Sequence, residues 1–176
     1  KYHNKFFRNF FSHEKVKAES EIKDKYFTKG SISSRVQVLR SAAKWSCGIS
    51  DTENSILQAY YYLIDNAEYY IYIENQFFIS KSFDENERKD CGFDTDETVE
   101  NEIALHIRRR ILKAYEENRK FRVIIFIPLL PGFAGDPEKN STIQIIMKHT
   151  YSSIYINHRL SILEKLEEKM GLKWQD

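Results

Sequence analysis

The sequence predicts an α/β fold: a layered, mostly parallel sheet with helices on both faces, incomplete within this chain. Three observations predict it. Phe121-Arg122-Val123-Ile124-Ile125-Phe126-Ile127 is almost continuously apolar, as a parallel strand covered on both faces tends to be. Tyr69 to Ile73 is a second apolar strand, and it runs into three consecutive polar side chains, Glu74, Asn75 and Gln76. Around these strands lie apolar stripes at helical spacing, long enough for right-handed crossovers. The 176 residues, 41% hydrophobic and 30% charged, suffice for the core of one domain.

Residues 1–34 read as a basic and aromatic connecting segment, and 35–176 as the α/β part. The first 29 residues hold eight Lys/Arg against four acids, with aromatics interleaved in Lys1-Tyr2-His3-Asn4-Lys5-Phe6-Phe7-Arg8. Such a stretch suits anionic lipid, with rings at headgroup level. It equally suits a helix end packed on a neighbouring domain, the preferred reading for so modest a charge excess. Arg35-Val36-Gln37-Val38-Leu39-Arg40 alternates as a first strand does, and Trp45-Ser46-Cys47-Gly48 follows as a loop. Ser50 with Glu53 forms a capping box that opens a helix, whose buried face is Ile56, Leu57, Tyr60, Leu63, Ile64 and Ala67, ending near Asn66.

Residues 81–102 carry nine acids and read as a solvated loop. Asp94-Thr95-Asp96-Glu97 lacks the glycine and terminal glutamate of a calcium loop. Val99, Ile103, Ile107, Ile111 and Tyr115 recur every four residues as one face of a long helix, with Arg108, Arg109 and Arg110 expected on its surface. Pro128, Pro131, Gly132, Gly135 and Pro137 stop the third strand. Two helices follow, one near 140–153 and one from Ser161 to Met170, the latter with the capping box Ser161/Glu164 and Gly171 as its stop.

The net charge of +1 supplies no field for a polyanion, so no nucleic-acid partner is expected. Cys47 and Cys91 have no metal-ligand spacing and fit a reducing compartment. No apolar run reaches the roughly 18 residues that span a bilayer. The absence of an initiating Met reads as a piece of a longer polypeptide.

In open parallel sheets, sites lie beyond the carboxyl ends of the strands. Arg40–Gly48, Glu74–Phe78 and Pro128–Asp136 are all expected there. Three adjacent polar groups at a strand end need partners or solvent, since burying each unpaired costs about 1–3 kcal/mol. The triplet is therefore either the wall of a polar site or a solvated strand end. No phosphate-binding glycine loop, zinc-protease helix or nucleophile elbow occurs. The histidines His3, His13, His106, His149 and His158 are scattered, and those on helices are expected to be exposed or capping.

Val36-Gln37-Val38-Leu39-Arg40-Ser41-Ala42-Ala43-Lys44-Trp45-Ser46-Cys47-Gly48, Ile71-Tyr72-Ile73-Glu74-Asn75-Gln76-Phe77-Phe78-Ile79-Ser80 and Ile127-Pro128-Leu129-Leu130-Pro131-Gly132-Phe133 resemble, in order, segments of eukaryotic phospholipase D. They correspond to the central part of its catalytic domain, between two His-x-Lys-x4-Asp motifs. The resemblance implies a phospholipase D-like fold and hydrolysis of phosphatidylcholine to phosphatidate and choline through a phosphohistidine. It also implies transfer to primary alcohols, a phospholipid substrate and a peripheral membrane surface. The other partner implied is the rest of the chain's own catalytic domain, in a cytoplasmic, membrane-peripheral protein.

Neither catalytic motif is complete here. His13-Glu14-Lys15 reaches Ser20 where Asp is needed, and His3-Asn4-Lys5 reaches Phe10. No catalytic histidine is therefore expected within the chain. The resemblance leaves Glu74, Asn75 and Gln76 as active-site support, with strand alternation placing Glu74 and Gln76 on one face. Trp45 and Phe133 are candidate substrate contacts, with core packing as the plainer account of both. No metal or cofactor is required. Phosphoinositide activation is common in the resembled family, but no residue here is assigned to it. The competing readings are a catalytically inactive membrane-binding or scaffolding homologue and a nucleic-acid phosphodiesterase of the same superfamily.

Overall fold

The computed structural model describes residues 32, 34–91, 99–130, 132, 138–139 and 141–171. The chain divides into two units, Lys1–Arg40 and Ser41–Asp176. In the first, residues 34–40 form no helix or strand, so the strand expected over Arg35–Arg40 is absent. Alternation makes a strand only where a neighbour pairs its N–H and C=O groups.

In the second unit, pairing begins at β1 (Ser41–Ala42), antiparallel to β2 (Glu53–Asn54). Between them Trp45 lies on α1 (Lys44–Cys47) rather than in a loop. The Ser46 hydroxyl accepts the Ala43 N–H at 2.9 Å and donates to the Ala43 carbonyl at 3.2 Å. Gly48, at φ 67°, closes the turn. The Ser50/Glu53 capping box does not open the next helix, because Glu53 is taken into β2. That helix, α2, runs Ser55–Asp65 with Asn66 as its carboxyl cap. Of its expected buried face, Ile64 is buried and Ala67 packs on the core, whereas Tyr60 and Leu63 stay exposed.

β3 (Tyr70–Glu74) and β4 (Arg122–Phe126) pair in parallel, Tyr70 opposite Arg122 and Glu74 opposite Phe126. Strand alternation sends Ile71, Ile73, Val123 and Ile125 to one face, where they join Ile64, Phe78, Ala104, Ile107 and Ile162 in the core. Tyr70, Tyr72, Ile124 and Phe126 on the other face are exposed. Among the described residues, then, the architecture is mixed α/β: one parallel pair, one antiparallel pair, and flanking helices.

The acidic loop expected over 81–102 contains α3 (Glu85–Cys91). Asp84 Oδ1 accepts the Asn86 and Glu87 N–H groups at 3.0 Å each, and Glu87 Oε2 accepts the Asp84 N–H at 3.0 Å. This is a capping box with Asp in the first position. Asp94–Glu97 lies outside the described residues. α4 spans Ile103–Glu116, so Val99 precedes it. α5 spans Ser141–Ile154, and α6 spans Ile162–Met170 between Ser161 and Gly171 as the sequence predicts.

Two expectations about α4 are corrected. Arg108 and Arg110 are buried and not on the surface. Arg108 forks onto Glu87 at 2.9 Å through both terminal nitrogens. Arg110 donates from Nε to the Ala67 carbonyl at 2.7 Å and lies 4.1 Å over the Phe121 ring. His106 is also buried. Its Nδ1 lies 2.7 Å from Asp65 Oδ1, and its ring stacks on Tyr61 at 4.1 Å, joining α4 to α2.

Candidate functional site

β3 ends at Glu74, so the polar triplet begins where the sheet stops. Glu74 projects from the exposed sheet face, where its Oε2 accepts the Tyr72 hydroxyl at 2.9 Å. That bond to a carboxylate holds the Tyr72 phenol above its ordinary pKa. Asn75 extends the ladder by one bond, its N–H reaching the Phe126 carbonyl at 3.1 Å.

Gln76 goes elsewhere. It lines a groove of about 600 Å³ between Ile125 of β4 with the segment that follows the strand (Ile127, Pro128, Leu129) and the Ile146, Met147, Tyr151 and Ile154 side of α5. A Cβ placed on Gly132 would lie 3.9 Å from Gln76 Nε2, so Gly132 stands beside the amide. The strand alternation expected to put Glu74 and Gln76 on one face does not extend past Glu74. Gln76 shares the groove with Phe77, while Glu74 does not line it.

The chain after the triplet is anchored. Phe78 is in the core. The Ile79 carbonyl accepts from Asn101 Nδ2 at 2.9 Å, the Ser80 N–H donates to Ser153 Oγ at 3.0 Å, and Ser80 Oγ accepts the Ala104 N–H at 2.8 Å. Three bonded or packed residues, Phe78, Ile79 and Ser80, fix the chain just downstream of Gln76, as a supporting shell must.

Two of the three segments expected at the sheet's carboxyl edge therefore meet: Glu74–Phe78 and the start of Pro128–Asp136. Within the third, Ser41 and Ala42 belong to the separate antiparallel pair. Trp45 does not line the groove and is 91% exposed, so it is not packed in the core. Phe133 lies outside the described residues, as do His3, Lys5, His13 and Lys15 with their near-miss motifs. Nothing in the sequence marks the α5 wall as part of a site. Ile146, Met147 and Thr150 show as an apolar helical stripe, and periodicity alone does not separate core from groove lining.

Among the described residues no cluster of His, Cys, Asp and Glu could hold a metal ion, and no helix is long and apolar enough to cross a membrane. The arrangement offers an apolar groove with an amide at one edge, beside a strand end bearing a carboxylate. That combination suits an amphiphile whose polar portion meets the strand end.

Comparison with known proteins finds one family. A family model described as Phospholipase D matches residues 8–170. Phospholipase D1 of Mus musculus is 43% identical over 152 residues, covering 85% of this chain and 13% of its own length. Phospholipase D zeta 2 of Arabidopsis thaliana is 45% identical over 144 residues, 81% of this chain and 13% of its own length. Phospholipase D1 of Schizosaccharomyces pombe is 42% identical over 122 residues, 68% of this chain and 8% of its own length. The chain thus spans only a small part of each of these relatives.

Proposed function

The chain belongs to the phospholipase D family, and from that premise we propose that its parent polypeptide hydrolyses phosphatidylcholine to phosphatidate and choline. In this reading an imidazole nitrogen attacks phosphorus and the P–O bond to choline breaks. A second histidine gives its proton to the leaving choline oxygen. That histidine then takes a proton from water, whose oxygen displaces the first imidazole and releases phosphatidate. A primary alcohol in place of water gives the phosphatidyl alcohol. Imidazole suits both roles near neutral pH. Both histidines would belong to His-x-Lys-x4-Asp motifs elsewhere in the parent.

The observation that carries this reading is the position of Gln76 between the strand end and the apolar groove. The amide, with Glu74 and Asn75 beside it, would support the reacting groups, and the groove would take the apolar part of the lipid. Trp45 and Phe133 are proposed as further substrate contacts. The exposed face bearing Tyr72 and Phe126 would be covered by the rest of the catalytic domain, completing a sheet with helices on both faces. The parent would be cytoplasmic and peripheral to membranes, which alkaline extraction of a membrane fraction tests.

Full-length protein given phosphatidylcholine and a primary alcohol should form the phosphatidyl alcohol. Gln76→Ala and Glu74→Ala should each lower kcat about tenfold or more without changing the melting temperature. Unchanged turnover in both would reduce the triplet to a solvated strand end. The second reading is a membrane-binding or scaffolding homologue without catalysis, since neither motif is complete within this chain. It gains if the parent lacks His-x-Lys-x4-Asp on either side of this chain.

A further inference from the structure

We infer that a second cavity, on the other side of α5, binds a phosphate-bearing anion. It encloses about 540 Å³ between the Ser80–Phe83 segment, α3 and the carboxyl half of α5, and shares only Lys148 with the groove beside Gln76. None of Glu74, Asn75 and Gln76 lines it, so its lining is separate from the proposed active-site support.

The charges in this cavity already converge on an anionic group. Glu85 Oε1 lies 3.7 Å from Lys81 Nζ, and its Oε2 lies 3.2 Å from Arg88 Nε. The Glu85 side chain is 61% exposed while those of Lys81 and Arg88 are 18% and 27% exposed. A mostly hydrated carboxylate thus bridges two more buried cations from different segments. Glu102 holds Lys81 at 3.0 Å independently, so the ammonium stays in place when Glu85 swings out. With the carboxylate mostly hydrated, these pairs contribute little stability, and a phosphate brings more charge and three acceptor oxygens to the same point.

The facing wall supplies donors. The side chains of Lys148 and His149 on α5 line the cavity and have no partner among the described residues. His158 closes the rim at φ 50°, followed by Arg159 at φ 71°. Two successive non-glycine residues in the left-handed region are strained, and such strain gathers at ligand clamps. Here it is held by bonds on both sides: Asn157 N–H donates to Glu164 Oε2 at 2.8 Å, and Leu160 N–H to the Asn157 carbonyl at 2.8 Å. Glu100 is the second carboxylate of the wall, and it limits the site to an anion that several cations can share.

The test is calorimetric titration of the full-length protein with inorganic phosphate. Saturable binding is expected, weakened about tenfold or more by Lys148→Glu and tightened by Glu85→Gln, with melting temperatures unchanged. No saturable binding overturns the proposal, as does wild-type affinity in Lys148→Glu. Weakening in Glu85→Gln also overturns it, since Glu85 would then position the cations rather than stand in for the ligand. Sedimentation with phosphatidylcholine vesicles carrying either phosphatidate or phosphatidylserine separates the two sources of phosphate. Preference for phosphatidate that Lys148→Glu abolishes assigns a lipid headgroup, and equal sedimentation with both assigns a soluble phosphate.

Discussion

Arg108 shows how single residues hold this unit together. Its side chain is 7% exposed, and both terminal nitrogens meet Glu87 at 2.9 Å, with Lys165 Nζ 3.7 Å from the same carboxylate. One carboxylate thereby ties α3, α4 and α6. Burial alone would raise the Glu87 carboxyl, but the hydrogen bonds from Arg108 and the Asp84 N–H outweigh it and leave the group below its ordinary value. Glu87→Ala strands a buried guanidinium and should cost roughly 3–5 kcal/mol, read as a lower urea midpoint. Glu164 is lowered in the same way, burial again opposed by bonds from the Asn157 and Ser161 N–H groups. Groups lowered on folding stabilise above their unfolded pKa, and that contribution is lost as pH falls through the folded value. The melting temperature should therefore drop on acidification below about pH 4.5, and less steeply in Glu87→Gln. The sequence marks Arg108 and Arg110 only as members of a basic triplet. They border the apolar stripe of α4, and burial there depends on which helix packs alongside.

Elements with local start and stop signals could be read in advance. α6 is bounded by Ser161, whose Oγ accepts the Glu164 N–H at 3.3 Å while Glu164 Oε2 accepts the Ser161 N–H at 3.1 Å, and by Gly171 at φ 68°. Ser161→Ala should cost about 1 kcal/mol and Gly171→Ala about as much, each measured as a loss in thermal stability. α3 carries the same kind of signal in Asp84 and Glu87, hidden within a stretch rich in acids. The Ser50/Glu53 pair shows the converse. A valid capping pattern goes unused because Glu53 pairs opposite Ala42 in β1–β2, and strand pairing is not a local property.

At the scale of the molecule, the parallel pair is covered on one face and open on the other. Tyr70, Tyr72, Ile124 and Phe126 form an apolar surface of the kind that marks an interaction site or an aggregation liability. Expressed alone, the chain should self-associate, and Ile124→Lys with Phe126→Lys should shift it towards monomer in light scattering. In the full-length parent the same pair should lower the melting temperature. Unchanged stability there would mean that the rest of the domain does not cover this face.

By itself the sequence determined what rests on near neighbours: the long helices, the caps of α6, two strands placed to within a residue, and the ten-residue signature that names the family. Only the tertiary structure decided which faces are buried, that Arg35–Arg40 has no strand partner while Ser41–Ala42 has one, and that Arg108 and His106 turn inward. It also sent Glu74 to the open sheet face and Gln76 to the groove. The reason is physical. Helix caps and periodicity are set by residues three or four apart, whereas pairing, burial and the lining of a cavity depend on segments tens of residues away.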